Sequence, residues 1–197
     1  MGEEIKSARE IALGKIQKLG DATEEERLRW KYVPEGEILS VRYLNQEVDL
    51  AAELDKYEDK IKKCLAKGAA EVLLRNINLP QTEADKNQTT RAMDGLKILK
   101  NNKAAVENVF NNIRRVFEHY HGQGDQQMNQ AYQSLKDDFT ANLQAAMKQQ
   151  YGSVPDVNIN IESQPQFQEE WRKVKAEMNS QYLKLLAEYK EALAAIE

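Results

Sequence analysis

The C-terminal segment, residues 167–196, carries the most regular pattern of apolar positions in the chain. At about 100° of rotation per residue, its apolar side chains fall within an arc of about 80° on one helix face. They are Phe167, Trp171, Val174, Met178, Tyr182, Leu185, Tyr189, Ala192 and Ile196. The pattern predicts one amphipathic helix about 45 Å long, which needs partner helices of similar length.

A second stripe, over residues 50–75, repeats every three or four positions until Asn76, Asn78 and Pro80 interrupt it. Gly68 lies within this stripe. A glycine inside a helix costs about 1 kcal/mol relative to alanine, so it either marks a close crossing with a neighbouring helix or merely weakens its own.

The third stripe opens at a capping signal formed by Thr82 and Asp85. Its apolar residues hold a seven-residue interval through Ala92, Leu99, Val106, Ile113 and Tyr120. This interval is typical of a helix packed in a bundle and predicts one long helix over 82–120. Asn102 breaks the apolar seam, and it either fixes the register between helices or marks where the seam meets water.

The pattern at the N-terminus predicts shorter elements. Residues 3–19 are expected to form an amphipathic helix that Gly20 ends. Its apolar residues are Ile5, Ala8, Ala12, Leu13, Ile16 and Leu19. Thr23 and Glu26 form a capping box for a helix that Pro34 and Gly36 are expected to close, and a further helical turn follows. Asp49 is expected to cap the next helix.

Between residues 121 and 166 the pattern changes twice. Residues 121–124 contain two glycines and predict a turn, after which residues 125–151 show one apolar helix face. Residues 153–166 then alternate apolar and polar positions with a period of two. This stretch predicts either a short strand or an extended loop.

These patterns predict an all-α protein. Three or four long amphipathic helices are expected to form an elongated antiparallel bundle with the short N-terminal helices against one end, and with at most one short strand near 154–161. Residues 1–197 are expected to form a single helical unit, with a possible subregion at 1–48 packed on the bundle at 49–197.

Composition narrows the possible functions. The net charge is −4, and the 28 basic residues are interspersed with 32 acidic ones, so no basic surface for nucleic acid is predicted. Cys64 is the only cysteine, which excludes an intramolecular disulfide and favours a reducing cytoplasm. No run of about 18 apolar residues occurs, so no membrane span is expected.

One cluster has the character of metal ligands. Glu118 and His121 stand in an E-x-x-H spacing, which supplies half of the ligand set in di-iron helical bundles, with His119 and Asp125 beside them. The chain has only two histidines, so a second copy must supply the other half. The alternative is that both histidines lie at a helix C-terminus, where cations interact favourably with the helix dipole.

No spacing of nucleophile and base, and no phosphate-binding loop, is found, so no catalytic residue and no cofactor is predicted. Phe167, Trp171 and Tyr182 are candidate anchors for a partner, or else members of the core. The sequence therefore favours a non-enzymatic helical interaction or scaffold protein that self-associates as a homo-oligomer or binds a protein partner. The alternative is a metal-binding bundle that uses Glu118, His119 and His121. Long stripes of this kind also predict a dry seam without a cavity.

Three stretches resemble an uncharacterised group of bacterial cytoplasmic helical proteins of similar length. They are Glu4-Ile5-Lys6-Ser7-Ala8 with Glu10-Ile11-Ala12-Leu13, then Asn76-Ile77-Asn78-Leu79-Pro80, and Pro165-Gln166-Phe167-Gln168-Glu169-Glu170-Trp171-Arg172. The resemblance spans most of the chain and implies a helical unit over its whole length. It implies no activity, because these motifs lie where helices start and stop.

Overall fold

A computed structural model describes residues 22–151 and 160–196, and the regular elements among these residues are all helical, with no strand. The all-α prediction is confirmed. The chain divides into two compact units. The first comprises residues up to Asn78 together with Thr82–Lys103, and the second comprises Leu79–Gln81 together with Ala104–Ile196. The division therefore falls around residues 79–103, whereas the sequence suggested a subregion ending at residue 48.

The first unit is built on four helices in its described part. They are α1 (Glu24–Leu44), α2 (Leu50–Leu54), α3 (Asp59–Arg75) and α4 (Glu83–Leu99). Three of the predicted caps are present, because Thr23 and Thr82 form capping boxes and the Asp49 carboxylate accepts a hydrogen bond from the Ala52 amide. The buried side chains include Leu39, Tyr43, Leu50, Leu54, Leu65, Ala69, Leu73, Ile77, Ala92, Met93 and Leu96.

Helices α1 and α3 cross with their backbones in direct contact. A Cβ atom built on Gly36 would overlap the carbonyl of Leu65, and one built on Gly68 would overlap the carbonyl of Val33. The predicted crossing at Gly68 is confirmed. The predicted end of a helix at Pro34 and Gly36 is wrong, since α1 continues to Leu44 with Pro34 inside it. Pro34 cannot donate the usual backbone hydrogen bond, and the close packing of α1 against α3 at Gly36 offsets this loss.

A reciprocal contact fixes α4 against α1. The Arg91 Nε donates to the carbonyl of Tyr43 at 2.7 Å, while the Tyr43 hydroxyl donates to the carbonyl of Arg91 at 3.3 Å. The Arg91 guanidinium also lies 4.8 Å from the centroid of the Tyr43 ring. Burial raises the pKa of Tyr43, so the phenol remains a neutral donor in this contact.

The predicted single helix over residues 82–120 is interrupted. Helix α4 ends at Leu99, and the next helix, α5 (Lys103–His119), begins after Asn101 and Asn102. Asparagine side chains compete with the backbone for hydrogen bonds and so favour helix ends. The Lys103 ammonium donates to the carbonyl of Lys97 at 2.7 Å, which satisfies a carbonyl in the last turn of α4.

The second unit contains a long helical run and a return helix. The run consists of α5, a π-helical turn at Tyr120–Gly124 and α6 (Asp125–Tyr151), without interruption. The return helix is α7 (Pro165–Ala195), which a 3₁₀ turn at Ile161–Ser163 precedes. The predicted turn at 121–124 is therefore a widened helical turn that does not end the helix.

Helices α6 and α7 run antiparallel, because residues further along α6 meet residues earlier in α7. Tyr132 meets Trp171 with ring centroids 4.9 Å apart, and Phe139 meets Phe167 at 5.4 Å. We call this pair of helices the hairpin. The possible strand at 154–161 falls mostly on residues 152–159, which lie outside the described residues, while Ile161 belongs to the 3₁₀ turn. Across 22–151 and 160–196, no helix has the length and apolar character to cross a membrane.

Candidate functional site

The second unit contains an open cleft of about 810 Å³ beside the π-helical turn. One side is formed by α5, the π-helical turn and the start of α6, and the other side is formed by α7. The residues that line it are Asn112, Arg115, Val116, His119, Tyr120, Gly124, Gln127, Met128, Glu177, Met178, Asn179, Gln181, Tyr182, Leu185 and Tyr189. The expectation of a dry seam without a cavity is therefore wrong at this point of the seam.

The glycines of the π-helical turn explain how the cleft forms. A Cβ atom on Gly124 would lie 3.0 Å from the Tyr182 hydroxyl, so only glycine leaves the full space that this side chain occupies. A Cβ atom on Gly122 would meet nothing within 4 Å. A π-helical turn widens the helix locally, and such turns often occur at functional sites. Gly124 and the widened turn together let α7 bring Tyr182 close to the backbone of the long helical run.

A hydrogen bond joins the two sides of the cleft. The His119 Nδ1 and the Tyr182 hydroxyl are 2.8 Å apart, and the roles of donor and acceptor depend on the imidazole tautomer. The Tyr182 ring also meets the Tyr120 ring edge-on, with centroids 5.1 Å apart. This geometry is favourable for aromatic pairs. Tyr182 is therefore positioned by a histidine and a second tyrosine at the same time.

Tyr120 and Asn179 form the buried polar part of the cleft. Burial raises the pKa of the Tyr120 phenol, the nearby Asp125 carboxylate raises it further, and a hydrogen bond to the Asn179 side chain acts in the opposite direction. The Asn179 Oδ1 atom is buried and has no hydrogen-bond partner in the structure. A buried polar atom without a partner is rare, because leaving it unpaired costs about 1–3 kcal/mol. The buried polar part of the cleft thus contains one acceptor atom without a partner beside the Tyr120–Asn179 contact.

The four predicted metal ligands do not converge. The His119 ring is directed to Tyr182, whereas the His121 Nδ1 lies 3.7 Å from an Asp125 carboxylate oxygen. His121 and Asp125 are both exposed, and so is Glu118. In the parts of the chain that the structure describes, no three or more His, Cys, Asp or Glu side chains form a group that could hold a metal ion. The structure therefore gives the metal-binding alternative no support.

The three predicted anchors for a partner have different environments. Phe167 is 2% exposed and is enclosed by Tyr132 and Phe139, so it belongs to the interior of the hairpin. Trp171 and Tyr182 are partly exposed. Two of the three side chains therefore remain accessible to a partner in this conformation.

Sequence reasoning missed Tyr120 and Asn179 as members of a polar site. Tyr120 appeared only as an apolar member of a seven-residue interval, and Asn179 lies at the edge of the α7 stripe. The sequence feature that could have indicated the cleft was the pair Gly122 and Gly124. The pair lies between the apolar stripe that ends at Tyr120 and the one that begins at Met128. A glycine inside a helical run can mark a close approach of another segment, and the structure shows such an approach by Tyr182 at Gly124 but none at Gly122.

Beyond the cleft, polar contacts connect α6 to the 3₁₀ turn. The Lys136 ammonium donates to the Glu162 carboxylate at 2.6 Å, and the Tyr132 hydroxyl donates to the same carboxylate. The hydrogen bonds from Lys136 and Tyr132 lower the pKa of Glu162 below its ordinary value of 4.5. The carboxylate therefore favours the folded hairpin only while it is ionised.

This contact predicts a small dependence of the hairpin's stability on acid. The contribution of Glu162 is fully present above its unfolded pKa and is lost as the pH falls through the lower folded pKa. The Glu162→Gln variant should therefore lose less stability than the wild type between about pH 7 and about pH 3, as thermal unfolding measures it. Glu188→Gln, which removes an exposed carboxylate elsewhere on α7, is the control. Equal acid dependence in both variants and the wild type would contradict the assignment.

The fold defines the protein as an all-α protein whose second unit carries a two-helix hairpin and, beside the π-helical turn, an open cleft with both polar and apolar lining residues. Residues 51–195 match a family of unknown function, DUF6657, and the chain belongs to that family. The predicted membership of an uncharacterised group is confirmed to this extent. No curated protein and no solved structure matches the chain.

Proposed function

We propose that the protein is a non-enzymatic helical interaction protein that associates with a second copy of itself along the hairpin. The observation that carries this proposal is that α6 has 27 residues and none of its described side chains is fully buried. Its apolar stripe remains partly exposed at Met128, Tyr132, Leu135, Phe139, Leu143 and Met147. A stripe covered by one helix on one side has room for a further helix on the other.

Helix α7 contributes to the same open seam. Trp171 is half-buried, and Leu185, which points to the same face as Phe167, is 37% exposed. We call the partly exposed apolar residues of α6 and α7 the hairpin seam. At about 1.5 Å per residue α6 is about 40 Å long, and two adjacent helices are about 20 Å wide. This area is close to the roughly 800 Å² per partner that a stable interface buries.

The charges on α6 favour a second copy over a strongly charged partner. Within Asp125–Tyr151 the polar positions are mostly glutamine and asparagine, and the charged residues are Asp125, Lys136, Asp137, Asp138 and Lys148. In a two-fold interface each surface meets its own copy, so dense charge of one sign would be repelled. Amide side chains both donate and accept hydrogen bonds, and they can therefore pair with their own copies.

Cys64 is a free and only half-buried thiol in the described structure. A single accessible thiol is compatible with a reducing compartment, because such a compartment prevents accidental disulfide linkage between copies. Location in the cytoplasm is therefore part of this proposal.

Two leucines on α7 provide a matched test. Leu185 lies at the end of the hairpin seam, where it also lines the cleft, whereas Leu183 is 51% exposed and lies about 160° away around the helix. We expect the wild type to be a dimer at micromolar concentration in multi-angle light scattering. Leu185→Glu would place a charge in the interface, which should weaken association by about 100-fold or more, equivalent to about 3 kcal/mol. Leu183→Glu should leave the dimer intact.

Circular dichroism of both variants should show unchanged helix content, so that a loss of association is distinguished from unfolding. A wild-type protein that is monomeric throughout the micromolar range would reject the proposal. Equal weakening by Leu185→Glu and Leu183→Glu would place the interface elsewhere on the molecule.

A further inference from the structure

Two charged side chains line the cleft of the second unit, one from each side. Arg115 belongs to α5 and Glu177 belongs to α7. The Arg115 side chain is exposed, and within the described residues its guanidinium has no hydrogen bond or ion pair. The adjacent Arg114 differs, because it donates to Glu107 and to Asn111, each at 2.8 Å. Arg115 is therefore the arginine of α5 that is available to a bound anion.

The order of residues along the helices separates these two charges. Helix α5 continues into α6, which runs antiparallel to α7, so residues earlier in α5 lie beside residues later in α7. The hydrogen bond between His119 and Tyr182 marks one level of the cleft. Arg115 precedes His119 by one turn and therefore lies toward Leu185. Glu177 precedes Tyr182 and lies toward the other end, about 12 Å along α7 from Leu185.

The end of the cleft at Arg115 combines the cation with neutral donors and apolar surface. Asn112 and Tyr189 line this end and carry an amide and a hydroxyl group. Val116 is buried, and Leu185 is 37% exposed and offers apolar surface to a ligand. A guanidinium group binds a carboxylate through two parallel hydrogen bonds. This end is therefore complementary to a carboxylate that is attached to an apolar body.

Tyrosine and methionine side chains line the middle of the cleft. The rings of Tyr120 and Tyr182 meet edge-on with centroids 5.1 Å apart, and Met128 and Met178 line the same cleft. Aromatic rings pack favourably against tyrosine rings and against thioether groups. Arg115 lies about one helical turn, roughly 6 Å of rise, from the level of Tyr182. A carboxylate and a ring joined by two carbon atoms span a similar distance.

We propose that the cleft binds a small aromatic carboxylate, with the carboxylate on Arg115 and the ring against Tyr182 and Leu185. The cleft volume of about 810 Å³ lies within the range of small-molecule sites, about 300 to 1,000 Å³. Among the residues that line the cleft, Arg115 is the only lysine or arginine. One such cation matches the single charge of a carboxylate better than the nearly double charge of a phosphate. Binding requires no second copy, so this proposal is independent of the proposed dimer.

An NMR titration of isotope-labelled protein with 3-phenylpropionate tests the proposal. Because the cleft is open and Arg115 is exposed, we expect a Kd on the order of 1 mM. Arg115→Gln removes the cation and should weaken binding at least about fivefold. Arg114→Gln makes the same change at the neighbouring arginine, which already binds Glu107, and should leave the Kd within about twofold of the wild type. Circular dichroism should show equal helix content in both variants.

Glu177→Gln tests the direction of the ligand. Glu177 lies at the end of the cleft away from Arg115, so its neutralisation should leave the Kd within about twofold of the wild type. Binding that tightens about fivefold or more in Glu177→Gln would place the carboxylate at the wrong end and overturn the proposed orientation.

Two related compounds test the chemistry of the ligand. The neutral analogue 3-phenylpropanamide should bind at least about fivefold more weakly, because it lacks the charge that Arg115 binds. Octanoate has the same charge and a similar size but no ring, and it should bind at least about threefold more weakly.

Loss of binding in Arg115→Gln with retention in Arg114→Gln supports the proposal. Absence of binding to the wild type at up to about 10 mM 3-phenylpropionate overturns it. Equal binding of the amide, or equal weakening by the two arginine variants, would show that Arg115 does not hold the ligand, and also overturns it. Octanoate that binds as tightly as 3-phenylpropionate would overturn the assignment to aromatic carboxylates.

Discussion

Gly68→Ala is expected to unfold the first unit at a temperature about 10 °C or more below that of the wild type. The added Cβ atom would overlap the carbonyl of Val33, which belongs to the backbone of α1 and cannot rotate away. Helices α1 and α3 would have to separate along their whole contact. Overpacking of a core by side-chain atoms costs about 1–3 kcal/mol, and a clash with backbone lies at or above the top of that range.

Gly122→Ala is the matched control for this prediction. It makes the same chemical change inside a helical run, but a Cβ atom there would meet nothing within 4 Å. Alanine has a higher helix propensity than glycine by about 1 kcal/mol, so this variant should be as stable as the wild type or slightly more stable. Thermal unfolding followed by circular dichroism measures both. A Gly68→Ala protein that unfolds with the wild type would show that the helices do not cross as closely as described.

The crossing at Gly68 illustrates what a sequence can predict and what it cannot. Local signals identified Gly68 as the place of a close approach and located the caps at Thr23, Asp49 and Thr82. The partner of Gly68 was hidden, because Pro34 and Gly36 together are a strong local signal for the end of a helix. In the structure Gly36 is the second contact of the crossing. Tertiary packing thus decides the role of a glycine that a local rule assigns to a turn.

Along the third stripe, the seven-residue interval agrees with the buried positions but not with the continuity of the helix. Ala92, Val106, Ile113 and Tyr120 are all buried, although the helix is interrupted between Leu99 and Lys103. The periodic pattern therefore predicted burial and not the continuity of the backbone. Continuity depended on two adjacent asparagines, whose cost in a helix is only a few tenths of a kcal/mol each, too small to be decisive on sequence alone.

The sequence predicted two residues of the cleft as candidate site residues, but it did not predict that they lie together. His119 was selected as a metal ligand and Tyr182 as a partner anchor, and these were separate hypotheses. The structure joins them by a hydrogen bond across 63 positions of sequence. Nothing in a single sequence encodes such a pair, because it depends on the register of α7 against the π-helical turn. That register is fixed by the aromatic contacts of the hairpin further along, where Tyr132 and Phe139 meet Phe167.

Phe167→Ala is therefore expected to have the largest effect in the second unit. Phe167 is 2% exposed, and its ring meets those of Tyr132 and Phe139 edge-on at 5.6 and 5.4 Å. Truncation of a buried phenylalanine costs about 3–5 kcal/mol, and this includes the loss of two favourable aromatic contacts. No described side chain of α6 is fully buried, so Phe167 is the buried side chain against which Tyr132 and Phe139 pack, and the Tyr132–Trp171 contact and the Lys136–Glu162 ion pair lie nearer the surface.

The loss should appear locally before it appears globally. Because Phe167 lies at the start of α7, hydrogen exchange followed by mass spectrometry should show faster exchange in residues 130–151 of the variant. The α5 segment around the buried Phe110 should exchange at the wild-type rate. Leu183→Ala removes a leucine that is 51% exposed and should change the stability by no more than about 0.5 kcal/mol. Equal protection of residues 130–151 in the wild type and in Phe167→Ala would mean that contacts other than Phe167 hold the hairpin closed, and the register of the cleft would then need a different physical explanation.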